Sequence, residues 1–185
     1  MISKGYVITL FSFLLFSCFN SNVGKESESD FLAYYNTFYA AEKSFNEALE
    51  IIESSDNESF KISEQAILLL EQSIENALII EKRFSETKYL DDSYYILGRA
   101  SYLMDKVTVS SYYFKRLLTE FPESNFSSEA YIWLGYINLK IGNVIDAKKT
   151  LSLISQSSFS EKRLIYILAY EIFIYLDNYE EAEMN

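Results

Sequence analysis

Two nearly identical blocks constrain this chain more than any other feature of its sequence. YYILG occupies residues 94–98, and YIWLG occupies residues 131–135, an offset of 37 positions. Self-similarity at a fixed period of this length is typical of stacked helical repeats, in which each unit packs only against its neighbours. Such an array presents a long surface to partners instead of one closed active site. The repeat therefore favours a binding function over catalysis.

Composition and apolar spacing predict an all-α domain. The 185 residues include one Pro and five Gly, and 17% are aromatic, which favours helices with an ample core over a many-turned sheet. From Asp30 onward, apolar residues recur mostly every three or four positions, as on one face of a helix. The spacing predicts helices over residues 30–53 and 59–84, followed by helix pairs in units at 91–124, 128–161 and 163–185, the last of them incomplete.

The repeated units resemble the tetratricopeptide repeat (TPR), whose pattern is W-x2-L-G-x2-Y, then A-x3-F, then P, in about 34 residues. The first unit has LG at 97–98, S-x3-F at 110–114 and Pro122, with Ser101 in place of the tyrosine. The resemblance implies a TPR-like right-handed superhelix of about eight helices in antiparallel pairs. It also implies close repeat packing at Leu97, Gly98, Leu134, Gly135, Ala147 and Ala182.

The N-terminus predicts a lipid anchor. An apolar run of 12 residues at 5–16 has the length of a signal-peptide core and is too short to span a bilayer. LFSC at residues 15–18 resembles the lipobox of bacterial lipoproteins, which implies a signal peptide over 1–17 and acylation of Cys18. The alternative is a buried thiol in an ordinary N-terminal helix. Phe19, where Asp would favour retention at the inner membrane, favours the outer membrane.

The polar stretch that follows predicts a flexible tether over residues 18–29, which leads into a TPR-like domain over residues 30–185. Because Cys18 is the only Cys, no disulfide can form within one chain. The net charge of −11 argues against nucleic acid and against docking on anionic lipid, since both favour a basic surface. Attachment to the membrane would then come from the acyl chains alone.

The sequence contains no pattern that indicates an enzyme. It has no His, which excludes histidine-dependent catalytic triads and metal sites. It also has no glycine-rich phosphate loop. Carboxylates are numerous, but their spacing does not single out two of them as an acid–base pair. We therefore predict no catalytic residue, no metal site and no cofactor.

The resemblance to TPR proteins implies a concave groove lined by the first helix of each pair. On this register the candidate peptide-groove residues are Tyr95, Arg99, Tyr102, Ile132, Tyr136, Leu139, Ile167, Glu171 and Ile174. This set is largely apolar and aromatic, with one cation and one carboxylate, and would suit an extended or helical segment with apolar side chains. For each of these residues the alternative is packing against the next unit.

A lipobox, a polar tether and helix pairs together resemble the BamD family of outer-membrane assembly lipoproteins. Residues 31–45 are similar to the opening repeat of such lipoproteins. The resemblance implies a non-enzymatic scaffold, anchored in the outer membrane and facing the periplasm. Its expected partners are other envelope proteins, with barrel-assembly subunits or unfolded barrel proteins as candidates. The alternatives are a TPR adaptor in another envelope process, such as polysaccharide export or cell-wall coordination, and, more remotely, an enzyme subunit.

Overall fold

A computed structural model describes residues 31–32, 37–55, 62–155, 166–171 and 174. These residues are helical or in the connections between helices, and no β-strand occurs among them, which confirms the all-α class. The helices with defined bounds are α1 (Tyr39–Ser54), α2 (Glu64–Arg83), α3 (Leu90–Leu103), α4 (Val107–Glu120), α5 (Ser127–Lys140) and α6 (Val144–Ser155). Residues 166–171 and 174 are also helical. The expected signal peptide, Cys18, the tether and Ala182 lie outside the described residues.

The helices pack in pairs that follow the order of the chain. The contacts are most extensive within α1–α2, α3–α4 and α5–α6, and each pair also packs against the next through α2–α3 and α4–α5. Only three residues connect α3 to α4 and three connect α5 to α6, so the two helices of each of these pairs run antiparallel. The first helices also touch each other, α1 against α3 and α3 against α5. They therefore share one face of the array.

A side-chain cap marks the start of α2, and two predicted helix starts differ from those in the structure. The Ser63 hydroxyl accepts a hydrogen bond from the Ala66 amide at 3.2 Å and caps α2. The helix therefore starts at Glu64 and not at residue 59. We expected Asp91 or Asp92 to cap α3, but both carboxylates lie inside its first turn, after a start at Leu90. The expected stop at Pro122 is confirmed, because α4 ends at Glu120.

The two turns inside the helix pairs repeat each other in backbone geometry. Asp105 has φ of 61° and Gly142 has φ of 76°, a left-handed conformation that commonly ends a helix. The amide of the residue that follows donates a hydrogen bond back over the turn. The Lys106 amide donates to the Ser101 carbonyl, and the Asn143 amide donates to the Asn138 carbonyl, both at 2.8 Å. Every member of one turn lies 37 positions from its counterpart. The period seen in the sequence is thus a period of the backbone.

The connections between pairs repeat as well, although their sequences look less alike. In the first, the Thr87 amide donates to the Phe84 carbonyl at 3.1 Å, and in the second the Ser124 amide donates to the Phe121 carbonyl at 3.0 Å. The hydroxyl of Thr87 or Ser124 then accepts a hydrogen bond from the amide two residues on. These hydroxyls shape equivalent turns in the two connections.

Two helical glycines sit where a neighbouring unit or helix approaches closely. A Cβ at Gly98 would lie 2.7 Å from Cε1 of Phe114, and one at Gly135 would lie 2.5 Å from Cδ2 of Leu168. Gly98 therefore contacts Phe114 on the second helix of its own pair, whereas Gly135 contacts Leu168 of the next unit. The other expected packing residues in the described ranges, Leu97, Leu134 and Ala147, are buried.

Candidate functional site

The shared surface of α1, α3 and α5, called the first-helix face below, contains the candidate site. Arg99 of α3 lies at its centre. Its guanidinium carbon stands 4.0 Å from the centre of the Trp133 ring on α5 and 6.0 Å from that of Phe45 on α1. Cations are attracted to the electron-rich faces of aromatic rings. Arg99 therefore holds aromatic side chains from the three first helices around one charge.

A carboxylate from the next unit completes this cluster. Arg99 Nη1 donates to the Tyr95 hydroxyl at 2.8 Å and lies 3.8 Å from Oε2 of Glu129. The Tyr95 hydroxyl in turn donates to Glu129. Burial raises the pKa of Tyr95, so its hydroxyl stays protonated and remains a donor. Arg99 and Tyr95 thereby fix the start of α5 against the middle of α3.

Further aromatic side chains continue this surface toward the C-terminal units. The ring centres of Tyr102 and Trp133 are 5.1 Å apart, and those of Trp133 and Tyr136 are 5.5 Å apart. Burial raises the pKa of Tyr136 to about 12, and the carboxylate of Glu171 adds to the shift. The same carboxylate acts on Tyr102, whose pKa is raised chiefly by burial. Tyr102, Trp133 and Tyr136 thus form one run of neighbouring rings, and the Glu171 carboxylate lies close enough to raise the pKa of both tyrosines.

Two of the nine candidate groove residues are buried in the core, which corrects their prediction as groove-lining side chains. Ile132 is fully buried and packs with Ala147 and Leu168. The Tyr95 ring is 8% exposed and stacks on Phe126 with ring centres 4.3 Å apart. Tyr95 faces the connection between α4 and α5, whereas Ile132 packs against the second helix of its own pair and against Leu168.

The remaining candidates keep partial access to solvent. Tyr102, Tyr136 and Leu139 are half-buried. Arg99 retains 15% exposure of its side chain. Ile167, Glu171 and Ile174 are exposed. These seven side chains remain available to a ligand.

Sequence reasoning missed several members of the site. Phe45, Trp133 and Glu129 all contact or face Arg99, and none was among the groove candidates. Trp133 follows Ile132 in the YIWLG block and reads as an ordinary packing residue. Glu129 lies in the first turn of α5, where a carboxylate is explained by the helix dipole alone. Only the packing of α3 against α5 shows that both residues converge on Arg99.

Two buried donors in this cluster have no hydrogen-bond partner among the residues that the structure describes. They are Nε of Arg99 and Nε1 of Trp133. Buried donors are usually paired. The contact between the guanidinium and the Trp133 ring offsets part of the cost of burying Arg99 Nε without a partner. It does not help Trp133 Nε1, because the contact uses the face of the ring and not its N–H.

A second charged cluster lies on the opposite side of α3 and joins three helices. Arg116 of α4 donates to Glu81 of α2, to Tyr94 of α3 and, at 2.6 Å, to Glu120 of its own helix. Tyr94 donates to Glu120 at 3.1 Å, and Tyr113 donates to Glu81 at 3.2 Å. These hydrogen bonds use the oxygens of both carboxylates. The cluster therefore links the first two helix pairs.

The described part of the chain offers no group of three or more acidic, His or Cys side chains arranged to hold a metal ion. None of its helices combines the length and apolar character needed to cross a membrane. The chain matches no protein-family model. Comparison with curated proteins finds no relative either.

Proposed function

We propose that this chain is a membrane-anchored, TPR-like scaffold that binds other proteins of the bacterial envelope. The observation that carries the proposal is the first-helix face, on which aromatic side chains from three successive pairs surround Arg99. Protein interfaces are enriched in Trp, Tyr and Arg, because these side chains bury large areas and retain polar contacts. A stack of helix pairs repeats such positions along its length and can hold an extended segment.

The expected setting of this scaffold is outer-membrane protein assembly, in a role similar to that of the BamD family. Support comes from the LFSC sequence ending at Cys18, from the polar tether and from the pairing of helices in register with the 37-residue offset. Acyl chains on Cys18 would hold the helical domain near the membrane surface. In this role the protein binds partners and catalyses no reaction.

Affinity capture from membranes tests the partner class. The full-length lipoprotein, carrying a C-terminal tag, is crosslinked in cells and purified, and the co-purifying proteins are identified by mass spectrometry. Recovery of barrel-assembly subunits supports the assembly role. Recovery of a polysaccharide-export or cell-wall complex in their place would overturn that role and leave a scaffold of another pathway.

Metabolic labelling with a fatty acid tests the anchor separately. Wild type is expected to incorporate the label, and Cys18→Ala is expected to incorporate none. Label that persists in the variant would contradict acylation at this position.

A further inference from the structure

The first-helix face contains a cavity of about 120 Å³ between α1 and α3. Half of its eight lining residues are aromatic, and the acidic residues Glu42 and Asp92 also line it. The aromatic residues are Phe38, Phe45, Tyr95 and Phe126. Phe45 and Tyr95 also contact Arg99, so the cavity adjoins the Arg99 cluster. An occupant of this cavity would therefore lie on the same surface as a segment bound along the first helices.

Within the described part of the chain, the two acidic residues of this cavity form no ion pair. No Lys or Arg of the described residues lies within ion-pair distance of Asp92 or Glu42. Arg99, the nearby cation, is turned toward Trp133 and Glu129. Burial raises the pKa of Asp92 to about 6, and Asp91 and Glu42 add to the shift. At neutral pH the site therefore holds an ionised, partly desolvated carboxylate, whose charge a bound cation would stabilise.

We propose that this cavity binds the ammonium group of a lysine side chain, presented by an apolar segment of a partner protein. The inference rests on the proposed scaffold function and names the chemistry of one position in the bound segment. Aromatic walls attract a cation, and the carboxylates of Asp92 and Glu42 supply the opposite charge. The small volume favours a compact ammonium over the larger planar guanidinium of arginine. The aromatic rings would enclose the methylene groups of the lysine stem.

Binding of a matched pair of peptides tests this site. The probes are a short acetylated and amidated peptide with one lysine between two phenylalanines, and the same peptide with norleucine in place of lysine. Their affinities for the full-length lipoprotein in detergent are compared by fluorescence anisotropy at neutral pH. We expect the lysine peptide to bind about tenfold more tightly, a difference of about 1.4 kcal/mol. The preference should fade as the pH falls below about 6 and Asp92 takes up a proton.

Variants assign this preference to the cavity. Asp92→Asn and Glu42→Gln remove one charge each with little change of shape, and both should reduce the preference for lysine. Asp91→Asn is the matched control, because Asp91 precedes Asp92 but does not line the cavity. It should keep the preference. Circular dichroism on each variant checks that the helices are intact.

Three outcomes would overturn the lysine site. They are equal affinity for the two peptides, binding of neither, and an equal loss of preference in Asp91→Asn and Asp92→Asn. None of them touches the scaffold proposal, which depends on the proteins captured from membranes. Conversely, a lysine preference that disappears in Asp92→Asn would stand even if the captured partners belonged to another envelope pathway.

Discussion

The ring of Phe114 occupies the space that a side chain at position 98 would need. A Cβ at Gly98 would lie 2.7 Å from Cε1 and 2.8 Å from Cζ of that ring. Phe114 is fully buried, and the Ser110 hydroxyl donates to the Gly98 carbonyl at 2.7 Å, so the two helices of this pair are fixed at close range. The glycine of the repeated LG block is therefore a contact point between α3 and α4.

Gly98→Ala should lower the free energy of unfolding. Overpacking of a well-packed core costs about 1–3 kcal/mol, and the better helix propensity of alanine returns up to about 1 kcal/mol. We expect a net loss of about 1–2 kcal/mol, measured as a lower midpoint of urea unfolding with an unchanged slope. The matched control is Gly135→Ala, which meets the end of the flexible Leu168 side chain and should cost less. Equal costs for the two variants would contradict this account.

The cluster around Arg116 makes a different prediction about stability. Arg116→Lys keeps the positive charge but loses the planar fork that reaches Glu81, Tyr94 and Glu120 at once. We expect a loss of about 1–2 kcal/mol in the free energy of unfolding, because a single ammonium cannot satisfy all of these partners. Lys115→Met is the control at the neighbouring exposed position, and it should change stability by less than about 0.5 kcal/mol. If both variants unfold at the wild-type midpoint, the cluster contributes nothing to the contact between pairs.

How far the sequence alone could go depends on whether a feature repeats. The stop at Pro122 and the turns at 105–106 and 142–143 were predicted from residue types that favour turns, and the structure confirms these helix ends. The start of α3 was misplaced because two consecutive carboxylates suit either a cap or a first turn. Here the register of the connection decides between the two.

The candidate site was harder to predict, because its members are brought together by contacts between units. The sequence identified Arg99, Tyr102 and Tyr136 by their place on the helix. It could not show that Trp133 lies over Arg99, or that Tyr95 turns toward Glu129 in the next unit. It also could not show that Ile132 is buried against Ala147 and Leu168. Helical periodicity describes one helix at a time, and this site consists of contacts between helices.

Asp92 predicts an unusual dependence of stability on pH. Its pKa in the folded protein is raised to about 6, so between the unfolded value and about 6 the folded state binds the proton more tightly. The contribution of Asp92 to stability is therefore greatest at low pH and decreases as the pH rises to about 6. Asp92→Asn removes this loss and should be more stable than wild type at pH 8, by about 1 kcal/mol after allowance for partial exposure.

Urea unfolding of both proteins between about pH 4 and pH 8 measures this difference. The gap should close toward pH 4, where the wild-type carboxyl is protonated, and contributions from other acidic groups cancel between the two proteins. A wild type that is more stable than Asp92→Asn at pH 8 would show that a cation, or the dipole of α3, compensates the Asp92 charge.

Variants on a first helix and on a second helix separate the two sides of the helix array. If partners bind the first-helix face, Tyr136→Ala should reduce capture of the partner proteins about tenfold or more, because truncation of an aromatic residue at the centre of an interface costs about 2 kcal/mol. Tyr112→Ala is the matched control, because this 53% exposed ring lies on α4, a second helix, and not on the first-helix face. Partner proteins are quantified by mass spectrometry after capture from membranes that contain equal amounts of each variant.

Loss of capture in Tyr136→Ala alone would locate binding on the first-helix face, next to Trp133 and Glu171. Loss in Tyr112→Ala alone would move the binding surface to the second helices. There a cavity of about 490 Å³, lined in part by Tyr112, Lys115 and Asp146, would be the next candidate. That result would refute the proposed binding face while leaving the helix array unchanged, because Tyr136 and Tyr112 both lie outside the buried core.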